Sequence, residues 1–253
     1  IQEPVLVQGV SIPALYATVQ ESIILRTTIN TLCQEIFRRG HFWEKKFQMK
    51  CTHCGEEYKH ETQQCKICDN SDFRKPDADQ IIYPRWFIQQ RNSMDQTFTD
   101  VLREVEWDLD IVDDAFIVLI KDYYFKEGSS DIELYRVKEM LRGDPTFMRI
   151  VSDKRGVRGG RYLVCPIHRD KTHPFGGDIK NCEVCNQALQ DVHFINTAGS
   201  GKTQYYIEGE VLHFSKYNPS KLYGRSPVAT LWRQAMTLSA MDNYMYLAYQ
   251  KRR

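Results

Sequence analysis

Val211-Leu-His-Phe-Ser-Lys-Tyr-Asn-Pro-Ser-Lys-Leu-Tyr-Gly-Arg-Ser-Pro-Val-Ala-Thr-Leu-Trp-Arg233 carries three local instructions in succession. Val211 to Phe214 is a short β-rich run, a loop follows, and Ser226-Pro227 then starts a helix. The serine hydroxyl can cap free amides there, and the proline ring is preset for the first helical turn. Beyond it Val228, Leu231, Trp232, Ala235, Leu238 and Met241 keep one apolar stripe at helical spacing toward the C-terminus.

Upstream of this stretch the pattern is β-rich. Residues 192–196, 203–207 and 210–214 read as a β meander, and 115–120, 132–137 and 148–152 as further strands, the last ending in a turn at Asp153-Lys-Arg-Gly156. Residues 99–111 are helical, with Val101, Val105 and Leu109 on one face. From Asp100 to Asp114 seven acids face only Arg103, which predicts a strongly negative outer surface. Residues 80–89, with Ile81, Ile82, Trp86, Phe87 and Ile88, suggest a strand or a buried connector. Residues 15–39 form one helix on Leu25, Ile29, Leu32 and Ile36, stopped by Gly40. The fold class is α+β.

Of eight cysteines, Cys33 stands alone in the first helix and the other seven fall into two clusters. Cys51-Thr-His-Cys54 and Cys65-Lys-Ile-Cys68 are two C-x-x-C knuckles with ten residues between them. Each knuckle aims two thiolates at one point, so a pair supplies the four tetrahedral ligands of a closed zinc site. Two disulfides would require an oxidising compartment that nothing in the chain indicates. A redox C-x-x-C would open a helix after a buried strand, and neither knuckle does. His53 and His60 are spare candidate ligands that read rather as solvated loop residues. The second cluster is Cys165-Pro-Ile-His168, thirteen residues, then Cys182-Glu-Val-Cys185. It suits a Cys3His zinc site, with His173 as an alternative fourth ligand or Cys165 as an ordinary buried thiol. Four protein ligands leave no open position, so both zinc sites read as structural rather than catalytic.

Asn196-Thr-Ala-Gly-Ser-Gly-Lys-Thr203 nearly matches a phosphate-binding loop. Its first glycine is missing, and Gln-Tyr-Tyr-Ile-Glu-Gly follows where a helix is required, so a Gly-rich turn between strands explains it and an ATPase is rejected. No Ser-His-Asp or Cys-His pattern stands out, and the chain is not expected to be an enzyme. Lys and Arg number 34 against 33 Asp and Glu, so no global basic field advertises nucleic acid. With 42% hydrophobic residues the chain can bury one or two cores, yet no apolar run approaches the roughly 20 residues of a membrane span. It opens on Ile1 and stops at Lys251-Arg-Arg253 straight after a helical pattern, which reads as an excerpt of a longer polypeptide.

The quoted stretch resembles the portal proteins (head-tail connectors) of tailed double-stranded DNA bacteriophages and related viruses. Tyr223, Gly224, Ser226 and Pro227 occupy the family's Y-G-x-S-P, after a strand carrying Val211, His213 and Phe214. Asp113-Asp-Ala-Phe-Ile-Val-Leu-Ile resembles its G-N-A-Y/F strand, with Asp113-Asp114 where Gly-Asn is usual. Leu134-Tyr-Arg-Val and Thr146-Phe-Met-Arg-Ile-Val-Ser-Asp-Lys-Arg-Gly resemble a following strand pair, and residues 15–39 the wing helix. The resemblance skips both metal modules, which look like lineage insertions.

What the resemblance implies is a portal-like wing, stem helices and β-rich clip carrying two inserted zinc-ribbon-like modules. The segments are 1–50 as wing, 51–79 as first zinc module, 80–114 as connector and stem helix, 115–222 as clip with the second module at 165–185, and 223–253 as long stem helix. It further implies a homo-oligomeric ring of about twelve copies at one capsid vertex. Such a ring conducts viral double-stranded DNA and docks terminase, major capsid protein and a tail adaptor, in the virion and, during assembly, in the host cytoplasm. The acids of 100–114 would then suit a channel wall that does not grip DNA. The local excess of Arg142, Arg149, Lys154, Arg155, Arg158 and Arg161 would meet DNA, an acidic neighbour or terminase. The competing reading is a zinc-ribbon nucleic-acid-binding protein; against it, the loop GEEYKHETQQ is mixed in charge with one aromatic residue.

Overall fold

The computed structural model describes residues 10–40, 44–125, 132–169, 171–197, 203–216 and 222–251. Residues 198–202 of the phosphate-loop lookalike and 217–221 of the opening stretch lie outside them, as do residues 1–9, Arg252 and Arg253. The described chain is α+β, with five helices and three antiparallel sheets.

The apolar run from Ala115 does not alternate because both faces of its strand are covered. This strand, β4 (Ala115–Phe125), is central in a sheet of order β11-β4-β5, between β5 (Ile132–Gly143) and β11 (Val211–Phe214). Ala115 and Ile117 pack against Val101 and Val105 of α4 (Phe98–Ile111). Phe116 and Val118 face Met148, Ile150, Phe194 and Tyr206 of a second, five-stranded sheet. That sheet runs β10-β9-β7-β8 with β6 also pairing β9, through β6 (Met148–Ile150), β7 (Tyr162–Val164), β8 (Thr172–Pro174), β9 (Gln190–Asn196) and β10 (Gln204–Ile207). The body is therefore a helix layer on two stacked sheets.

Four local expectations change. Residues 15–39 are two helices, α1 (Ile12–Glu21) and α2 (Ile23–Phe37), because Ser22 ends the first and caps the second, its Oγ accepting from the Leu25 amide. Leu32 and Ile36 are half exposed; the α2 residues that enter the core are Ile29 and Cys33, one helical turn apart. Residues 80–89 form helix α3 (Ala78–Gln89) around Pro84 rather than a strand, a distinction that a short apolar run does not encode. The meander splits: β9 and β10 form a hairpin, but β11 crosses to the other sheet and pairs with β4. The crossing is made at Glu210, whose carbonyl accepts from the Leu119 amide at 2.8 Å.

The seven acids do not share an outer face. Asp108 is buried, held bidentately by Arg142 at 2.6 and 2.7 Å and hydrogen-bonded by the Tyr16 hydroxyl. Asp113 and Asp114 are buried too, and Asp100 closes a capping box with Thr97. Amphipathic helix spacing identified the α4 core face but not the acids that other elements would cover.

Candidate metal centres and the helix junction

The first module hangs on β1 (Met49–Cys51), flanked by β2 (Glu57–Tyr58) and β3 (Phe73–Arg74). Its two knuckles are built alike. The Cys51 amide donates to the Glu56 carbonyl at 2.9 Å, and the Cys65 amide to Asn70 at 2.8 Å. The residue after each second cysteine, Gly55 or Asp69, is left-handed at φ +78° or +56°, the region open to Gly and tolerated by Asp and Asn. Cys182 and Cys185 repeat the pattern, with the Cys182 amide on Gln187 at 2.8 Å and Asn186 at φ +56°. Cys165-Pro-Ile-His168 is constructed differently: the Ile167 and His168 amides donate to the Cys165 sulfur at 3.4 and 3.3 Å, and the side chain of Arg169 folds back onto the Pro166 carbonyl.

The eight ligand residues expected from the sequence meet in two groups. Within Cys51, Cys54, Cys65 and Cys68, and within Cys165, His168, Cys182 and Cys185, one ligand atom per residue lies within 4.8 Å of all the others. A zinc ion about 2.3 Å from each sulfur would set sulfur–sulfur edges of about 3.8 Å. Cys54–Cys65 and Cys51–Cys68 are 3.4 and 3.6 Å apart, and in the second group Cys165–Cys185 is 3.5 Å. His168 Nδ1 is 3.9 Å from Cys165 and 3.8 Å from Cys182. Both groups fit a tetrahedral metal ion. His173 lies instead on β8, paired with Leu163, and does not join the second group.

Hydrogen bonding within each group favours the thiolate at particular cysteines while partners such as Cys54 and Cys185 are pushed up. The Tyr58 hydroxyl donates to Cys65 at 3.3 Å and pulls that thiol down to about 6. The Cys185 and Val184 amides bring Cys182 down to about 6 as well. Neither Tyr58 nor these amides were singled out by cysteine spacing.

The Y-G-x-S-P residues build a junction that launches α5 (Pro227–Gln250). α4 ends when Asp113 turns left-handed at φ +63°, which explains a Gly-favouring position in the resembled pattern and its tolerance of Asp. The Asp113 carboxylate then accepts from the Lys216 amide at 3.0 Å and the Arg225 amide at 2.9 Å. Asp114 accepts from the Gly224 amide at 2.9 Å and from His213 Nε2 at 2.8 Å. Arg158 donates to His213 Nδ1 at 2.7 Å, so the imidazole proton lies on Nε2, toward Asp114. Burial lifts the Asp114 carboxyl above its ordinary range against the pull of His213. Ser226 caps α5 through the Ala229 amide at 3.0 Å while its hydroxyl donates to the Ile111 carbonyl, and the Tyr223 hydroxyl accepts from the Ile150 amide at 2.8 Å. A side chain at Gly224 would strike the Asp113 carbonyl oxygen. Tyr223, Gly224 and Ser226 thus each have a steric or hydrogen-bonding reason.

No protein-family model and no curated protein matches the chain. Among solved structures, a chain in the neck of an empty GTA particle computed with C6 symmetry is similar over 93% of this chain, at 8% identity and a TM-score of 0.47; the match spans 46%, about half, of that chain's length.

Proposed function

We propose that this protein is a subunit of a viral portal: a structural ring at one capsid vertex that passes double-stranded DNA and docks terminase and a tail adaptor. The observation that carries this reading is α5. Its first turns bury Val228, Ala229 and Ala235, but every residue from 240 to 250 is exposed. Tyr244, Met245, Tyr246 and Leu247 are consecutive, so about 100° per residue distributes large side chains all round the helix. Asp242 is the one ionic residue between Gln234 and Gln250. A helix with this surface requires neighbours on more than one side, which two flanking copies in a ring supply.

Zinc is the metal that the two ligand groups suit, and its role is to staple segments too small to fold unaided; with four donors in place no catalytic position is left. The nucleic-acid-binding alternative is weakened by pairing around the first module: Lys46 and Lys50 lie against Glu57, and Lys59 against Glu44. Among the described residues no helix is long and apolar enough to cross a membrane. Native mass spectrometry and electron microscopy of the full-length protein test the reading. A closed ring of about a dozen copies supports it; a monomer that binds DNA through its zinc modules refutes it.

A further inference from the structure

Glu210 is an ionisable side chain buried between the sheets, 2% exposed, at the point where the chain crosses from β10 to β11. Its carboxylate is met by the Arg169 guanidinium on both oxygens, by the Tyr123 hydroxyl of β4 at 2.7 Å and by the Ile207 amide at 3.0 Å. Arg169 also donates to the Tyr205 carbonyl at 3.1 Å and, within the metal knuckle, to the Pro166 carbonyl through Nε at 3.1 Å and Nη2 at 3.0 Å. Arg169 directly follows His168 in the chain. One side chain therefore grips the second metal knuckle and neutralises the buried charge of the core.

We propose that Arg169 is a positioning residue that couples metal at the second centre to the whole two-sheet body, whereas the first centre stabilises only its own module. This rests on both centres holding zinc. With the ion bound, His168 and Cys165 fix the knuckle, and the knuckle fixes the arginine over Glu210. Without it, the 165–169 turn loses its anchor and Glu210 is left as a buried charge with a loosened partner. Among the described residues the strands of the first module pair only with one another, and the ion pairs Lys46–Glu57, Lys50–Glu57 and Lys59–Glu44 stay within residues 44–59. Linkage makes the coupling reciprocal, so the arginine must also tighten metal at the second centre and not at the first.

The test is hydrogen exchange with mass spectrometry on the full-length protein, with zinc counted by native mass spectrometry. Cys182→Ser should lose one zinc and speed exchange at least about tenfold in residues 117–123 and 205–212; Cys65→Ser should lose one zinc and leave those segments unchanged. Arg169→Leu keeps every ligand and should release zinc from the second centre about ten times faster to a chelator, leaving release from the first centre unaltered. Cys182→Ser retaining both ions overturns the metal reading and this proposal with it. Loss of one ion with no change in β4 or β10 exchange overturns the coupling alone, as does Arg169→Leu with unaltered zinc release. If Cys182→Ser does not fold, stepwise chelation of the wild type supplies the same comparison: protection of β4 must fall with the second ion removed and not with the first.

Discussion

Gly224→Ala is the sharpest perturbation of the helix junction. A Cβ there would lie 1.9 Å from the Asp113 carbonyl oxygen and 2.7 Å from its carbonyl carbon and Oδ2, where ordinary contact begins at 3.4 Å. Two of these atoms are backbone, so no rotamer relieves the clash and the α4–β4 turn must separate from the start of α5. Overpacking of this kind costs about 1–3 kcal/mol. Separation also breaks the buried bond from the Gly224 amide to the Asp114 carboxylate, worth about 1.5–3 kcal/mol for a charged acceptor. A loss of about 2.5–6 kcal/mol is expected, and 3 kcal/mol alone lowers Tm by about 6–12 °C in a chain of this size. Urea unfolding followed by tryptophan fluorescence measures it. Adding Asp113→Gly removes Oδ2 but leaves the carbonyl, so the double variant should not recover. A destabilisation below about 1 kcal/mol, or full recovery in the double variant, would refute the steric account.

Three further outcomes are expected. His168→Ala should reduce bound zinc from two ions per chain to one, while His173→Ala leaves the count at two; native mass spectrometry reads both. Tyr223→Phe leaves the Ile150 amide without its buried acceptor and should cost about 1–3 kcal/mol in urea unfolding. Asp100 is held below its ordinary value of 3.8 by the Thr97 hydroxyl and amide. Its stabilisation is therefore full above that value and lost as pH falls through the lower folded value. Acid titration should fray the start of α4 in wild type, and Asp100→Asn should flatten that step.

The metal groups were the most legible feature of the chain. Cysteine spacing names the ligands because a knuckle is a local turn, and its geometry depends on about five consecutive residues. The choice between His168 and His173 was not local: β8 carries His173 into a strand pair with β7, whereas the turn after Cys165 keeps His168 Nδ1 beside the sulfurs. Arg169 went unremarked for the same reason, since its partner Glu210 lies 41 residues away.

The sequence alone determined the start of α5, the apolar run of β4 and the cysteine knuckles of the two candidate metal groups, all of which are set by neighbours within a few residues. Tertiary structure decided which acids are buried, that β11 leaves its hairpin neighbours for β4, and that Asp113-Asp114 receives the Gly224-Arg225 amides across more than a hundred residues. The division has a physical cause. Caps, turns and periodicity are short-range properties of the chain. The burial of a carboxylate depends on which distant amide, guanidinium or imidazole the fold brings within 3 Å of it.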